Sequence, residues 1–416
     1  MQEIEGSRVK IGIFDHGSRY LGGGQLVVAR MAAFLSETYE VDVIHSGKGY
    51  TLKSLSTAFE VDLSRAKERI IEDSLKSFSI PGPQSMRNYL WAGSQVDRGL
   101  TEPYDLFVYS GHGVPPFSFA RQAMVYCHFP FEARPTVSMQ VNEGWRRRHP
   151  VDRWIRLVVY EWIWDRRMRG YATVLGNSSF TSQWIERLWG RPAEVVYPPV
   201  AVTVPSVEKR NLIISVGRFV STDSKKHAQQ LKAFPEFLSR VGGDWSLCMI
   251  GFCADRSQDR AYLEQLQQIA KDLPVTFVVN AERKAVLSYL AEAKLFWHTT
   301  GLGNEASTEP RCMEHFGMAT VEAMMAGCVP LVPACGGQPE IVEHQVSGFL
   351  CHDLDALVQH SVCLANNDQL RVRMSRRALE RSREFHHARF EQHLGQRVFE
   401  CLRGLKLLRT SESLRR

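Results

Sequence analysis

Glu314-His-Phe-Gly317-Met-Ala-Thr-Val-Glu322-Ala-Met-Met-Ala-Gly327 decides how this chain is read. Seven residues separate two carboxylates, one just ahead of an apolar helix and one inside it. Gly317 frees the backbone where the helix starts, and Gly327 is a natural C-cap. The apolar run at 329–332 predicts a buried strand. A second glycine turn, Gly336-Gly337-Gln338-Pro339-Glu340, leads into a helix over 341–344. Helices that start behind glycine turns aim N–H groups and a positive dipole end into the crevice, which suits an anion. Two carboxylates beside that anion need hydroxyl groups as partners. A nucleotide sugar offers both, in its diphosphate and its diols.

The rest of the chain alternates in the same way. Residues 9–14 read as a buried strand, followed by Gly22-Gly23-Gly24, a helix over 25–35 and a strand over 40–45. That unit opens a doubly wound α/β sheet. Its consecutive glycines are not the G-x-G-x-x-G dinucleotide pattern. Residues 47–100 are poorly patterned and read as inserted helices. Strands follow at 105–109, 123–128, 172–175 and 194–197, with helices at 152–167 and 182–189, and 200–210 reads as a hinge. The second half has strands at 211–217, 246–251, 275–279, 295–298 and 329–332, then a helical tail at 389–408.

With 416 residues, the chain fits two domains of about 200. It is 44% hydrophobic and 23% charged, an ordinary globular balance. The net charge of +6 suits a phosphate-bearing substrate or an anionic membrane surface, and no nucleic-acid partner is expected. Nine cysteines without metal or redox spacing predict free thiols in a reducing compartment. No apolar run approaches the ~18 residues of a membrane span. Residues 1–10 are polar, unlike a signal peptide. A cytoplasmic protein is expected, peripheral on the inner face of the membrane if it works there.

The Glu-x7-Glu pair, followed by GG-x-x-E, resembles the retaining glycosyltransferases of family 4. Glu314, Phe316, Gly317, Glu322, Ala323, Gly327, Gly336, Gly337 and Glu340 carry the match. It extends upstream to Phe296-Trp-His-Thr-Thr-Gly301-Leu-Gly303, to Asn177-Ser-Ser179 and to Tyr126-Cys-His128-Phe-Pro130. Those pieces are similar to the mannosyltransferase branch that extends the lipid-linked oligosaccharide core, whose eukaryotic members carry an N-terminal anchor that this sequence does not show. Roughly residues 9 to 400 can be followed, most firmly after Asn211. The resemblance implies a GT-B fold of two Rossmann-like domains facing across a cleft. Residues 1–200 would form the acceptor-side domain, 201–390 the nucleotide-sugar domain, and 391–416 a helix returning to the first.

The resemblance also implies the roles. Arg218, ending the NLIISVG strand, and Lys225 (or Lys226) would meet the donor diphosphate. Glu322 would accept from the ribose diol and Glu314 from the donor sugar, with Phe316 and Gly317 in the donor-binding set. Gly336 and Gly337 would bring backbone amides to sugar or phosphate, and Gly23 and Gly24 would do so for the diphosphate or an acceptor phosphate. His128 ends a strand, and strand C-termini in open α/β sheets face the crevice; in the family its counterpart lies near the reacting centre. His112 and His298 are further candidates, with core packing open for His298. No carboxylate stands out as a covalent nucleophile, and the family's route is a same-face substitution.

Asp353-Leu-Asp355 matches a metal-binding pattern, but it precedes a helix and reads as an N-cap. No metal or cofactor is expected; Arg, Lys and helix dipoles would take the metal's part. GDP-mannose is the favoured donor, with UDP sugars open, and the acceptor is a glycan or a lipid-linked sugar. The alternatives are a nucleotide-sugar 2-epimerase of the same fold and a non-catalytic sugar-nucleotide binder. Residues 145–169 mix Arg and Trp, which reads either as peripheral contact with an anionic membrane or as packing on the chain's own sheet.

Overall fold

In a computed structural model the protein is described for residues 8–15, 21–47, 49–71, 94–141, 150–242 and 244–413. The N-terminal segment 1–7 and residues 145–149 of the Arg/Trp stretch lie outside them. Two compact units result: one takes in Met1–Pro199 with Ala388–Arg416, the other Val200–His387.

The first unit opens with β1 (Lys10–Asp15), α1 (Gly23–Ser36) and β2 (Glu40–His45). Both strands are buried beyond their first residue, as continuous apolar runs must be when a parallel sheet is covered on both faces. Residues 47–100 differ from the helical expectation. They hold α2 (Leu52–Phe59), then an edge strand β3 (Lys67–Ile70), then α3 (Ser94–Thr101). β3 reads Lys-Glu-Arg-Ile, so it lacks the apolar run that marks an inner strand. Next come β4 (Leu106–Gly111), β5 (Gln122–Cys127), α4 (Pro135–Val141), α5 (Pro150–Arg169), β6 (Thr173–Gly176), α6 (Ser179–Trp189) and β7 (Glu194–Val195). The strand order is β3-β2-β1-β4-β5-β6-β7, and every ladder is parallel.

The second unit contains β8 (Arg210–Val216), α7 (His227–Val241), β9 (Ser246–Gly251), α8 (Ser257–Ile269), β10 (Val275–Val279), α9 (Arg283–Glu292) and β11 (Ala293–Trp297). Then follow α10 (Met318–Met325), β12 (Val329–Pro333), α11 (Gln338–Ile341), β13 (Phe349–Cys351), α12 (Leu354–Ala365) and α13 (Asp368–Ser382). Its order is β10-β9-β8-β11-β12-β13, again all parallel. α11 starts three residues earlier than the sequence suggests. Pro339 falls in its first turn, where proline needs no N–H partner, and Val342 is already extended. Asp353 caps α12, accepting the Ala356 N–H at 2.7 Å.

Lys209, just before β8, fixes the lower end of this sheet. Its ammonium donates to the carbonyls of Leu290 (3.2 Å), Ala293 (2.8 Å) and Ala326 (2.7 Å), at the ends of α9 and α10. Burial lowers its pKa. The last helix, α14 (His387–Ser413), packs on the first unit, where Phe390, Leu394, Val398 and Cys401 join a core with Ile11, Val28 and Val43. The Phe390 ring meets Tyr126 edge-on at 6.1 Å.

Candidate functional site

In a doubly wound sheet, ligands bind beyond the strand C-termini where the order reverses. In the second unit that point lies between β8 and β11, and Gly217-Arg218 and His298-Thr299 leave those two strands. Here three chemistry-bearing side chains converge. The Lys225 Nζ donates to Glu314 Oε2 at 2.5 Å, and His298 Nε2 lies 3.0 Å from the same oxygen. Burial pushes the Glu314 carboxyl up, but Lys225 and His298 together outweigh it and hold the pKa well below the ordinary range. Burial lowers the His298 pKa despite Glu314. The neighbouring His227 is brought down to about 3 by burial, then by Lys225 and His298.

The main chain holds this arrangement. Thr299 Oγ1 donates to the Lys225 carbonyl at 2.9 Å and accepts from Gln230 Nε2 at 2.9 Å. Lys226 donates instead to the Leu302 carbonyl, so of the two adjacent lysines it is Lys225 that meets Glu314. The Gly336-Gly337 turn packs on the Glu314 loop. Gly336 has φ +66°, and a Cβ there would sit 2.4 Å from the Glu314 carbonyl oxygen, so only glycine fits. The Gly337 N–H donates to that carbonyl at 2.8 Å, which takes up the amide expected to reach sugar or phosphate. Gly317 starts α10 at φ +118°, against Gln338. Phe316 is 3% exposed and packs edge-on to Phe385 at 5.6 Å.

Glu322 is buried in α10 and paired with Arg283 at 2.7 Å. Sequence reading missed Arg283, although its position just after β10, on the C-terminal side of the sheet, was a usable signal. Arg218 is exposed and makes no hydrogen bond or ion pair among the described residues.

In the first unit the order reverses between β1 and β4. His128, directly after β5, shares a hydrogen bond with Ser110 Oγ of β4 at 3.1 Å. A Cβ on Gly24 would lie 3.3 Å from His128 Nε2, so the first turn of α1 abuts the imidazole. The Gly23 and Gly24 amides meet no acceptor among the described residues, and α1 ends there with its positive pole. The His112 ring lies tilted against that of His128, with centroids 5.1 Å apart. Asp15, also missed, ends β1 and accepts from Tyr50 (2.6 Å) and Gln25 (3.2 Å). Burial raises its pKa against both hydrogen bonds.

Two Rossmann-like units, each with its polar group at the strand-order reversal, define a GT-B glycosyltransferase. Solved structures agree on the fold: Anabaena HepE in complex with UDP has a TM-score of 0.65 at 17% identity, covering 94% of this chain and all of that one. WaaG, a glycosyltransferase of lipopolysaccharide biosynthesis, gives 0.61 at 14% identity over 92% of this chain and 98% of its own. Residues 21–204 match Glycosyltransferase Family 4, and residues 202–381 match Glycosyl transferases group 1. The chain belongs to the glycosyltransferases built from this pair of domains. Its relatives include the mouse GDP-Man:Man(3)GlcNAc(2)-PP-Dol alpha-1,2-mannosyltransferase, 32% identical over 49% of this chain and 44% of that protein. The human enzyme of the same name is 27% identical over 75% and 68%, respectively. The mouse match thus spans less than half of its relative's length.

Proposed function

We propose that this protein is a retaining, metal-independent transferase that moves a hexose, mannose above others, from GDP-mannose to a hydroxyl of a lipid-linked glycan. It would act from the cytoplasm at the inner membrane face. The observation that carries this reading is Glu314, kept ionised by Lys225 and His298 at the sheet's switch point, with Arg218, unpaired among the described residues, leaving the adjacent strand. A carboxylate there holds sugar hydroxyls, and cations there hold a diphosphate.

Arg218 and Lys225 would offset the charge that develops on the leaving phosphate as the C1–O bond breaks. Glu314 would fix the sugar through its hydroxyls. The ribose diol would bind Glu322 in place of Arg283. The acceptor oxygen then bonds to C1 on the face the phosphate leaves, and its proton passes to the departing phosphate oxygen. No enzyme carboxylate has to bond to the sugar. His128 and the Gly23–Gly24 amides would orient the acceptor side. The names of the mouse and human relatives support GDP-mannose and a lipid-linked acceptor, and the UDP in HepE keeps uridine donors as the alternative.

Incubation with GDP-mannose, UDP-glucose or UDP-N-acetylglucosamine, a lipid-linked glycan and excess chelator is the test. Transfer from GDP-mannose into an α-linked product, unchanged by chelator, is expected. A β-linked product or chelator sensitivity would overturn the retaining, metal-independent reading. Donor isomerised without acceptor would make the protein a 2-epimerase. Donor binding without turnover would make it a sugar-nucleotide sensor.

A further inference from the structure

α5 carries two opposed apolar faces, and among the described residues only one is buried against the fold. Tyr160, Ile163, Trp164 and Met168 point inward and are buried. At 100° per residue, Val151, Ile155, Val158 and Trp162 fall about half a turn away, with Trp154 beside them. These five are 58%, 50%, 48%, 50% and 65% exposed, respectively. Single exposed apolar residues are ordinary, but a contiguous stripe marks a contact surface. Among the described residues no other element exposes more than two large apolar side chains. The sequence left this helix between core packing and membrane contact; core packing accounts for the inward face, and the outward face is exposed.

Charge decides the occupant. Arg166 lies over the Trp162 ring at 5.4 Å and, like Arg169, is exposed. Among the described side chains, Glu161 of this helix pairs with Arg134 at 2.5 Å, and Asp165 lies 3.7 Å from the same guanidinium. Tryptophans and aliphatics with arginine at one end form the pattern of a helix lying in a lipid interface, rings among the acyl chains and guanidinium groups on phosphate. No helix among the described residues is long and apolar enough to cross a membrane, so the contact is in-plane.

We infer that the outward face of α5 docks the protein on an anionic lipid bilayer. The inference rests on the proposed lipid-linked acceptor only for its purpose, and its readout needs no transfer. The full chain is floated with vesicles of phosphatidylcholine alone or with about one-third phosphatidylglycerol, and compared with Trp154→Ser/Trp162→Ser. Binding to the anionic vesicles that exceeds binding to the neutral ones, weakens in salt, and falls about tenfold in the variant is expected. GDP-induced thermal stabilisation should be the same in both proteins, showing that the variant is folded. Absent binding, equal binding by the variant, or a dimer that the double substitution splits would overturn the inference. Failure of the transfer assay would leave it standing.

Discussion

Replacing Glu314 by Gln removes the charge shared by Lys225 and His298 while keeping the side chain's shape. Losing one partner of a fully buried ion pair costs about 3–5 kcal/mol because the other charge is stranded. Lys225 and Glu314 are 24% and 20% exposed, so water screens part of that cost. A loss of about 1–3 kcal/mol is the expected result. For a unit of this size each kcal/mol lowers Tm by about 2–4 °C, so the variant should melt several degrees early at pH 7. The sign of the pH effect follows from the depressed Glu314 pKa. Its contribution is complete above the unfolded carboxylate's ordinary value of 4.5 and is lost as pH falls through the lower folded value. The gap between wild type and variant should hold from pH 7 to 5 and close only in more acid solution. Scanning calorimetry across that range measures it. A variant as stable as wild type at pH 7, or a gap that closes between pH 7 and 6, would refute the claim that the carboxylate is held ionised here.

Arg218→Ala should leave Tm unchanged, since Arg218 has no partner among the described residues, and lower kcat about 100- to 1,000-fold in the transfer assay. Arg283→Ala should lower the melting temperature of the protein alone, because Glu322 is left buried without its cation; saturating GDP should then raise it more than in wild type, as the ribose diol satisfies the carboxylate. Gly336→Ala should cost more than about 2 kcal/mol and abolish transfer, since the left-handed backbone and the clash with the Glu314 carbonyl act together. Phe390→Ala should cost about 3–5 kcal/mol, read by chemical denaturation.

The alternation of apolar strands and amphipathic helices made both sheets readable, because inner parallel strands are continuous apolar runs. Where that signal fails, so does the reading. β3 is polar because it sits on an edge, and α11 was placed late because Gln338, Pro339 and Glu340 were assigned to the glycine turn, whereas they form the helix's first turn. At the site, the family resemblance named Glu314, Arg218 and Lys225, with Lys226 left open. The His298–Glu314 and Arg283–Glu322 contacts could not be named that way, since each joins elements distant in sequence and leaves no periodic trace. Gly337 was named within the motif, but its N–H bond to the Glu314 carbonyl could not be read from it.

The triple anchorage of Lys209 limits how the second unit can respond to a nucleotide. All three of its donors are engaged by carbonyls, and those carbonyls belong to the ends of the two helices that carry Arg283 and Glu322. Sliding one helix past the other would strand a desolvated cation. The proposed exchange of Arg283 for a ribose would therefore be a swing of one side chain over a stationary frame.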